Sequence, residues 1–332
     1  MWARAVERSL EMFFANTPFA PARTKRRRAA PSGLGMALAI AGWLAWVPAQ
    51  SATLTVCVSE DNAPLSFARQ GEVKGFDVVL AQAIAQDMGR TLRVVPFESE
   101  IEKETMLTHE VNALLSAGIC DLASGFPLLA SDLGAPSRPR FKTPDYPGAK
   151  RMRDRPFVEL GTLVASRPYQ GTAISVVQRA NQGPVKALSD LRDRKVGAVA
   201  GTLEGAMVAM YRNGYLRDSM VSLSQREDTW GALESGRVDA LLVASTAFDA
   251  YLQRAKAADL RAADFQRSIG INLGFVALSD RIDVLDATNR VIERTQANGQ
   301  MVAWAQEAGM RWQAPSAPAI ANGLSLPTLL LD

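Results

Sequence analysis

The residue types that carry most enzyme chemistry are scarce in this chain of 332 residues, which has two cysteines and one histidine. Cys57, Cys120 and His109 do not form the clustered Cys and His ligands of a zinc or copper site. No carboxylate pair or histidine constellation stands at a spacing typical of general acid and base catalysis. The sequence therefore predicts no metal, no cofactor and no catalytic centre, and it places His109 at the surface of a helix.

The two cysteines allow two interpretations, which depend on the compartment in which the protein folds. In an oxidising compartment such a pair is more often bridged than free. On the chain-entropy model, a bridge between Cys57 and Cys120 would stabilise the fold by roughly 4 kcal/mol. The alternative is a pair of buried thiols.

The beginning of the chain indicates export. A basic cluster at 25–28 precedes an uncharged, largely apolar run at 33–47 and a group of small residues, which is the order of a cleaved signal peptide. An uncleaved membrane anchor is the alternative, but the run is shorter than the ~20 residues of a spanning helix and Pro48 ends it. We expect a signal peptide at 1–52, with Met12 an alternative start, and a periplasmic mature protein.

The charge of the mature chain is nearly balanced. Residues 1–52 hold seven Lys or Arg and two Asp or Glu, which leaves 30 basic and 32 acidic residues in 53–332. A near-neutral chain without a basic stripe and interleaved aromatics is not typical of nucleic-acid binding. Its length and its 48% content of hydrophobic residues predict two domains with full cores.

Strands and helices alternate after the leader. In the first part the patterns predict strands at 53–58, 92–97 and 120–123, and helices at 77–88 and up to 117. In the later part they predict strands at 160–165, 195–199, 220–223 and 269–278, and helices at 203–211, 229–235, 284–297 and 301–308. This repeated βαβαβ order predicts an α/β protein of two lobes, each with a mostly parallel sheet flanked by helices.

A short internal repeat supports the two-lobe prediction. Residues 115–121 and 233–239 both read Leu, any residue, a small residue, Gly, two further residues and Asp. Each is followed by an apolar run. A glycine that ends a helix in the left-handed conformation and a tight turn into a strand would explain the pattern.

Two segments fall outside the alternation. Residues 125–168 are rich in proline and charge, which predicts a long irregular excursion. Within it, 134–155 is a candidate contact for a partner, and solvated padding is the alternative. The tail at 313–332 shows no clear periodicity and is expected to be either draped over the surface or loose.

In their order and spacing, these motifs resemble the family 3 solute-binding proteins of ATP-driven importers, which are best known for polar amino acids. The resemblance runs over about 54–312 and is carried by 54–57, 61–67, 75–78, 118–121, 196–202 and 236–240. It implies the periplasmic-binding-protein type II fold, with lobe 1 at 53–163, lobe 2 at 164–271, and 272–312 returning to lobe 1. A small ligand would then bind in the cleft between the lobes.

The cysteine-containing motifs are similar to those of one subgroup, which is found beside quinoprotein alcohol dehydrogenases and typified by the J-type protein of methanol oxidation. The carriers are Val56-Cys57, the Cys120-Asp121 step and the loop at 125–127. In the arrangement that the resemblance implies, the strands of Cys57 and Cys120 are neighbours, which places the cysteines within bonding reach. The implied partners are an ABC permease, or a quinoprotein (PQQ) dehydrogenase with its cytochrome c.

The family binds its ligands with a first-loop aromatic and with amides and hydroxyls from both lobes. The resemblance implies ligand contacts by Asp61, Phe67, Gly125, Phe126, Tyr146, Gly201, Thr202, Trp230 and Ser245. For Phe67, Tyr146 and Trp230 the alternative is ordinary packing, and for Thr202 it is a helix N-cap.

Two departures from the family pattern argue against an α-amino acid as ligand. The Thr-x-x-Arg step is absent, because no arginine stands in 125–135, and Ala244 occupies the position of the acid in lobe 2. The amino group of an amino acid would be buried there without a counter-charge, which costs several kcal/mol.

The sequence thus predicts a periplasmic solute-binding protein without enzymatic activity, for an importer or as an accessory of a quinoprotein dehydrogenase. A dehydratase of the kind that acts on prephenate-like compounds is the alternative on the same fold. It would need a general acid in the cleft. A receptor's sensor domain would need a second membrane segment, which the sequence lacks.

Overall fold

The computed structural model describes residues 52–99, 107–224, 226–255 and 259–331. The signal peptide predicted at 1–52 lies outside these ranges except for its last residue. Within the described ranges, no helix combines the length and the hydropathy that crossing a membrane requires.

The first part of the chain forms strands and helices close to the predicted bounds. The strands are β1 (Thr53–Ser59), β2 (Asp61–Asn62), β3 (Ser66–Arg69), β4 (Glu72–Lys74), β5 (Thr91–Phe97), β6 (Leu122–Pro127), β7 (Arg140–Phe141), β8 (Val158–Glu159) and β9 (Leu163–Ala165). The helices are α1 (Phe76–Asp87) and α2 (Leu107–Ser116).

The later part adds five strands and six helices to the described chain. The strands are β10 (Gln170–Arg179), β11 (Val196–Val199), β12 (Met220–Leu223), β13 (Ala240–Ala244) and β14 (Leu260–Leu278). The helices are α3 (Leu203–Met210), α4 (Thr229–Glu234), α5 (Ser245–Arg254), α6 (Ile282–Ala297), α7 (Gln300–Glu307) and α8 (Leu326–Leu329).

The two predicted sheets are joined into one. The strand order is β12-β11-β13-β10-β14-β6-β1-β5, with β9 paired to β14. The outer triplets are parallel, β5-β1-β6 in what we call the first half and β12-β11-β13 in the second half. The long strands β10 and β14 run antiparallel to each other and to the triplets, and they connect the halves.

Each half has its own core on both faces of the sheet. In the first half, Phe76 and Leu80 of α1 pack against α6 and α7 on one face, and Leu114 of α2 packs on the other. In the second half, Met207 of α3 lies in one apolar cluster and Phe248 of α5 in another. Burial of these side chains is the main driving force for each half.

The repeated Gly-x-x-Asp step has the same structure in both halves. Gly118 and Gly236 follow their helices with φ of 67° and 77°, in the left-handed region that favours glycine. Asp121 Oδ2 accepts from the amide of Thr55 at 2.8 Å, and Asp239 Oδ2 accepts from that of Lys195 at 3.0 Å. Each aspartate ties the turn to the start of the neighbouring parallel strand.

The disulfide between Cys57 and Cys120 is present, and it confirms the bridged interpretation. Cys57 lies in β1, Cys120 lies two residues before the start of β6, and their Cα atoms are 5.7 Å apart. The pair is within bonding reach because β1 and β6 are adjacent parallel strands. Both side chains are buried in the core of the first half.

The prediction that His109 is a surface residue is wrong. It is only 4% exposed, its ring stacks on Phe141 with centroids 5.4 Å apart, and Nε2 lies 3.0 Å from Ser137 Oγ. The irregular excursion folds back over α2 and covers it. Burial lowers the pKa of His109, and the positive charge of Arg138 adds to this effect.

The C-terminal tail is fixed to both halves rather than loose. The buried Asn272 donates to the carbonyl of Ser316 at 2.8 Å and accepts from its amide at 2.9 Å. Ala321 exchanges two backbone hydrogen bonds with Leu128 and Ala130 of the first half. Farther on, Leu329 of α8 is 3% exposed in a core cluster of the second half.

Candidate ligand-binding cleft

A cavity of about 400 Å³ opens where the two halves meet. We call it the cleft cavity. Its first-half wall is lined by Ser59, Asp61, Asn62, Leu65, Ser66, Phe97, Ser99, Leu107, Val111, Ser124, Gly125, Phe126, Pro127 and Leu273. Its second-half wall is lined by Gly171, Thr172, Ala173, Ala244, Ser245, Thr246 and Ile269, and the tail adds Gln313. This volume suits a small organic ligand.

The structure brings four of the implied ligand contacts to this cavity. They are Asp61, Gly125, Phe126 and Ser245. Ser245 is buried at the start of α5, and its Oγ lies 2.6 Å from Ser175 Oγ. Asp61 stands on the opposite wall, in β2.

The other five implied contacts lie elsewhere. Phe67 lines a separate, shallower pocket beside Gln253. Thr202 caps α3, because its Oγ1 accepts from the amide of Gly205 at 3.2 Å, and Gly201 precedes it with a positive φ. The two remaining aromatic residues are used in packing. Trp230 stacks on Tyr251 with ring centroids 4.5 Å apart, and Tyr146 packs against the core of the first half.

Gly125 sits at the cavity wall in a conformation that suits glycine. Its φ is +67°, and a Cβ added there would lie 3.3 Å from Oδ2 of Asp77. The amide of Gly125 donates to the phenol oxygen of Tyr169 at 3.0 Å. A side chain at this position would be strained and would press on the carboxylate behind it.

Behind Gly125 lies a buried polar link that the sequence does not reveal. Tyr169 donates its O–H to Asp77 Oδ1 at 2.7 Å, and both residues are fully buried. Tyr169 immediately precedes β10, the strand that enters the second half, whereas Asp77 belongs to α1 of the first half. The link therefore fixes the start of the crossing strand to the first half.

The carboxyl group of this link is in an unfavourable environment for its ionised form. Burial raises the pKa of Asp77 to about 7, against the smaller, opposing effects of the hydrogen bonds from Tyr169 and Ser124. The nearest sequence signal is Gly75-Phe76-Asp77, which indicates only the start of a helix.

Negative charge dominates the mouth of the cavity. Asp61, Glu60 and Glu98 line an adjoining surface pocket that shares Phe97 with the cleft cavity. The pKa of Glu60 is raised by burial first and then by the negative charges of its neighbours. Among the described residues, no group of three or more His, Cys, Asp or Glu is arranged to hold a metal ion.

Comparisons with known proteins give a family match for one segment of the chain and structural matches for the fold. Residues 54–120 match the model of a family described as bacterial extracellular solute-binding proteins, family 3. A search of curated proteins found no match. The matched segment covers β1 through α2 and ends at Cys120.

Several solved structures share the architecture. One is the substrate-binding domain 2 of GlnP from Lactococcus lactis in its open conformation, with TM-score 0.59 and 14% identity, covering 80% of this chain and 98% of that one. Another is the second substrate-binding domain of a putative amino acid ABC transporter from Streptococcus pneumoniae, with TM-score 0.58, 14% identity and coverage of 77% and 99%.

A third is the L-cystine solute receptor of Neisseria gonorrhoeae in the unliganded open conformation, with TM-score 0.53, 17% identity and coverage of 79% and 94%. At these identities the likeness shows the fold and nothing finer. The chain therefore has the two-lobed α/β fold of type II periplasmic binding proteins, as predicted, and its residues 54–120 are similar to the family 3 solute-binding proteins.

Proposed function

We propose that this chain is a solute-binding protein that captures a small organic molecule in the cleft cavity. The observation that carries the proposal is that both halves supply the cavity wall, from Asp61 on one side to Ser245 on the other. A ligand that contacts both walls would favour the closed arrangement of the halves, because it gains contacts only there. The segment match to family 3 supports the same role.

Binding rather than catalysis agrees with the residues at the site. Among the described residues that line the cavity, Asp61 is the one with an ionisable side chain. A dehydratase would need a general acid held against the substrate within the cavity, usually with a second group to take up a proton. Asp61 is exposed to solvent, and the other described lining residues offer no second ionisable group beside it.

A thermal-shift screen of the mature protein tests the binding role. Amino acids, short alcohols, quinone-like compounds and lanthanides form the panel, and we expect at least one class to raise Tm by several degrees. The reason is that a ligand that binds only the folded state stabilises it by mass action. A panel without any stabilising solute would contradict the proposal, and turnover of prephenate or arogenate by the purified protein would replace binding with catalysis.

The remaining parts of the proposal concern location and partner. We infer export to the periplasm, which the leader at 1–52 supports by its order of basic, apolar and small residues. The partner is then an ABC permease or, as the cysteine motif suggests by its resemblance, a quinoprotein dehydrogenase with its cytochrome c. Residues 134–155 are the proposed contact, because they hold seven basic and two acidic residues in an otherwise acidic mature chain.

This basic segment is held in a defined shape. The buried Arg155 donates to the carbonyls of Lys150 and Thr143 and to the carboxylate of Asp145. Lys142 lies 5.2 Å above the ring of Phe157, which is 65% exposed. Phe157 thus presents an exposed aromatic ring beside the basic segment, and aromatic residues are enriched at protein interfaces.

Charge reversal of three exposed residues, Lys150→Glu, Arg151→Glu and Arg153→Glu, tests the contact. We expect the triple variant to fold normally and to lose most co-purification with its periplasmic partner, since complementary charge would become repulsive. The matched control reverses Lys186, Arg192 and Lys195, which are exposed on the second half. Undiminished co-purification of the first variant, or equal loss in the control, would remove residues 134–155 from the interface.

A further inference from the structure

Apart from Asp61, the described lining of the cleft cavity combines apolar side chains with uncharged polar ones. The side chains of Leu65, Phe97, Val111, Phe126 and Leu273 line it on the first-half wall. Its other polar lining groups are hydroxyls and amides, which hydrogen-bond but carry no charge. No Lys, Arg or His of the described chain lines the cavity, so the described lining offers a carboxylate or phosphate no counter-charge.

The mouth of the same cavity is negatively charged. Asp61 lines it directly, and Glu60 and Glu98 stand beside it in the adjoining pocket. None of these three carboxylates has a cationic partner within the described residues. These carboxylates would repel an anion bound at the mouth, whereas a bound cation would reduce the repulsion between them.

An α-amino acid does not fit this arrangement. Its carboxylate needs an arginine, which the described lining lacks, and the acid that would hold its amino group in the second half is replaced by Ala244. Ala244 precedes α5 as its N-cap and offers no side-chain hydrogen bond. The one carboxylate at the cavity, Asp61, is on the other wall and at the mouth.

We propose that the ligand of this cavity is a small organic cation without a carboxylate, whose apolar body fills the interior and whose ammonium group lies at Asp61 and Glu60. This inference rests on the proposed solute-binding function and narrows it to one class of solute.

A set of four compounds with one apolar body and different charge tests this assignment. The probes are 4-phenylbutylamine, 4-phenylbutanol, 4-phenylbutyrate and homophenylalanine, and their affinities are measured by calorimetry at low and high salt. We expect the amine to bind roughly tenfold tighter than the alcohol, because its ammonium group would make several charge contacts that solvent partly screens. The two compounds with a carboxylate, 4-phenylbutyrate and homophenylalanine, should bind weakest. The preference for the amine should shrink as salt is raised.

Asp61→Asn is the discriminating variant, and Asp264→Asn is the matched control at an exposed position outside the cavity. Asp61→Asn should bring the amine down to the affinity of the alcohol and leave the alcohol unchanged, whereas the control should change neither. If homophenylalanine or the butyrate binds as tightly as the amine, or if Asp61→Asn has no effect on the amine, the assignment is wrong. The solute-binding function would then still stand or fall by the broader thermal-shift panel.

Discussion

Replacing Cys57 and Cys120 together by alanine is expected to lower the free energy of unfolding by about 4 kcal/mol. The bridge closes a loop with a sequence separation of 63 residues, and its removal enlarges the unfolded ensemble. The loss should be close to this value because both cysteines are buried in the core and alanine leaves only a small gap. Urea unfolding of wild type and double variant measures it.

A reducing agent provides the control for the disulfide prediction. It should destabilise the wild type by a similar amount and leave the double variant unchanged, because the variant has no bridge to lose. Equal stability of oxidised wild type and variant would show that the bridge contributes nothing to folding.

Asp77→Asn is expected to raise the stability of the protein at pH 8 by up to about 4 kcal/mol. The folded-state pKa of Asp77 is about 7 and the ordinary value is 3.8, and each unit of difference corresponds to about 1.4 kcal/mol. Between these values the folded state binds the proton more tightly than the unfolded state, so the contribution of Asp77 is fully favourable below pH 3.8 and is lost as the pH rises through 7. Asparagine removes the charge, and its oxygen can still accept from Tyr169.

The pH profile distinguishes this effect from a general change in packing. The difference in stability between variant and wild type should be largest above pH 7 and should shrink towards pH 4, as urea unfolding at several pH values would show. The pKa values of Asp87, Asp190 and Asp239 are lowered in the folded state, so protonation of these groups at acid pH destabilises wild type and variant equally. The difference in stability between the two proteins therefore reports on Asp77. Parallel profiles would contradict a titrating carboxyl group at this position.

The elements of the outer triplets could be predicted because each has a clear local pattern. Strands β1, β5 and β12 and helices α1 and α3 lie within two residues of their predicted bounds. The repeated Gly-x-x-Asp step was informative because a glycine with positive φ and an aspartate that accepts a backbone amide are local requirements.

Strand β10 could not be predicted in the same way. It lies at the centre of the sheet between β13 and β14, and nearly all of its residues are buried. A strand that is covered on both faces loses the alternation of apolar and polar residues by which strands are recognised. The burial of His109 escaped prediction for a related reason, since the covering residue Phe141 lies in the short strand β7, within a segment whose sequence has no regular pattern.

The residues that line the candidate site could also be predicted only in part from the sequence. Asp61, Gly125, Phe126 and Ser245 were named from a resemblance between short motifs, and these motifs end β-strands or begin helices at the cavity. Phe67 and Trp230 belong to motifs of the same kind, yet their side chains point into other contacts. Which way a side chain at a strand end faces depends on the packing of the whole half.

By itself, the sequence determined the α/β class, the cysteine pair and the absence of an arginine from 125–135, because these follow from residue types and local spacing. Only the tertiary structure decided that Asp77 meets Tyr169, that three carboxylates gather at one mouth, and that the tail is fixed to both halves. These contacts join residues far apart in the chain, and their geometry is set by the burial of two cores and the crossing of β10 and β14. No local pattern encodes such distances.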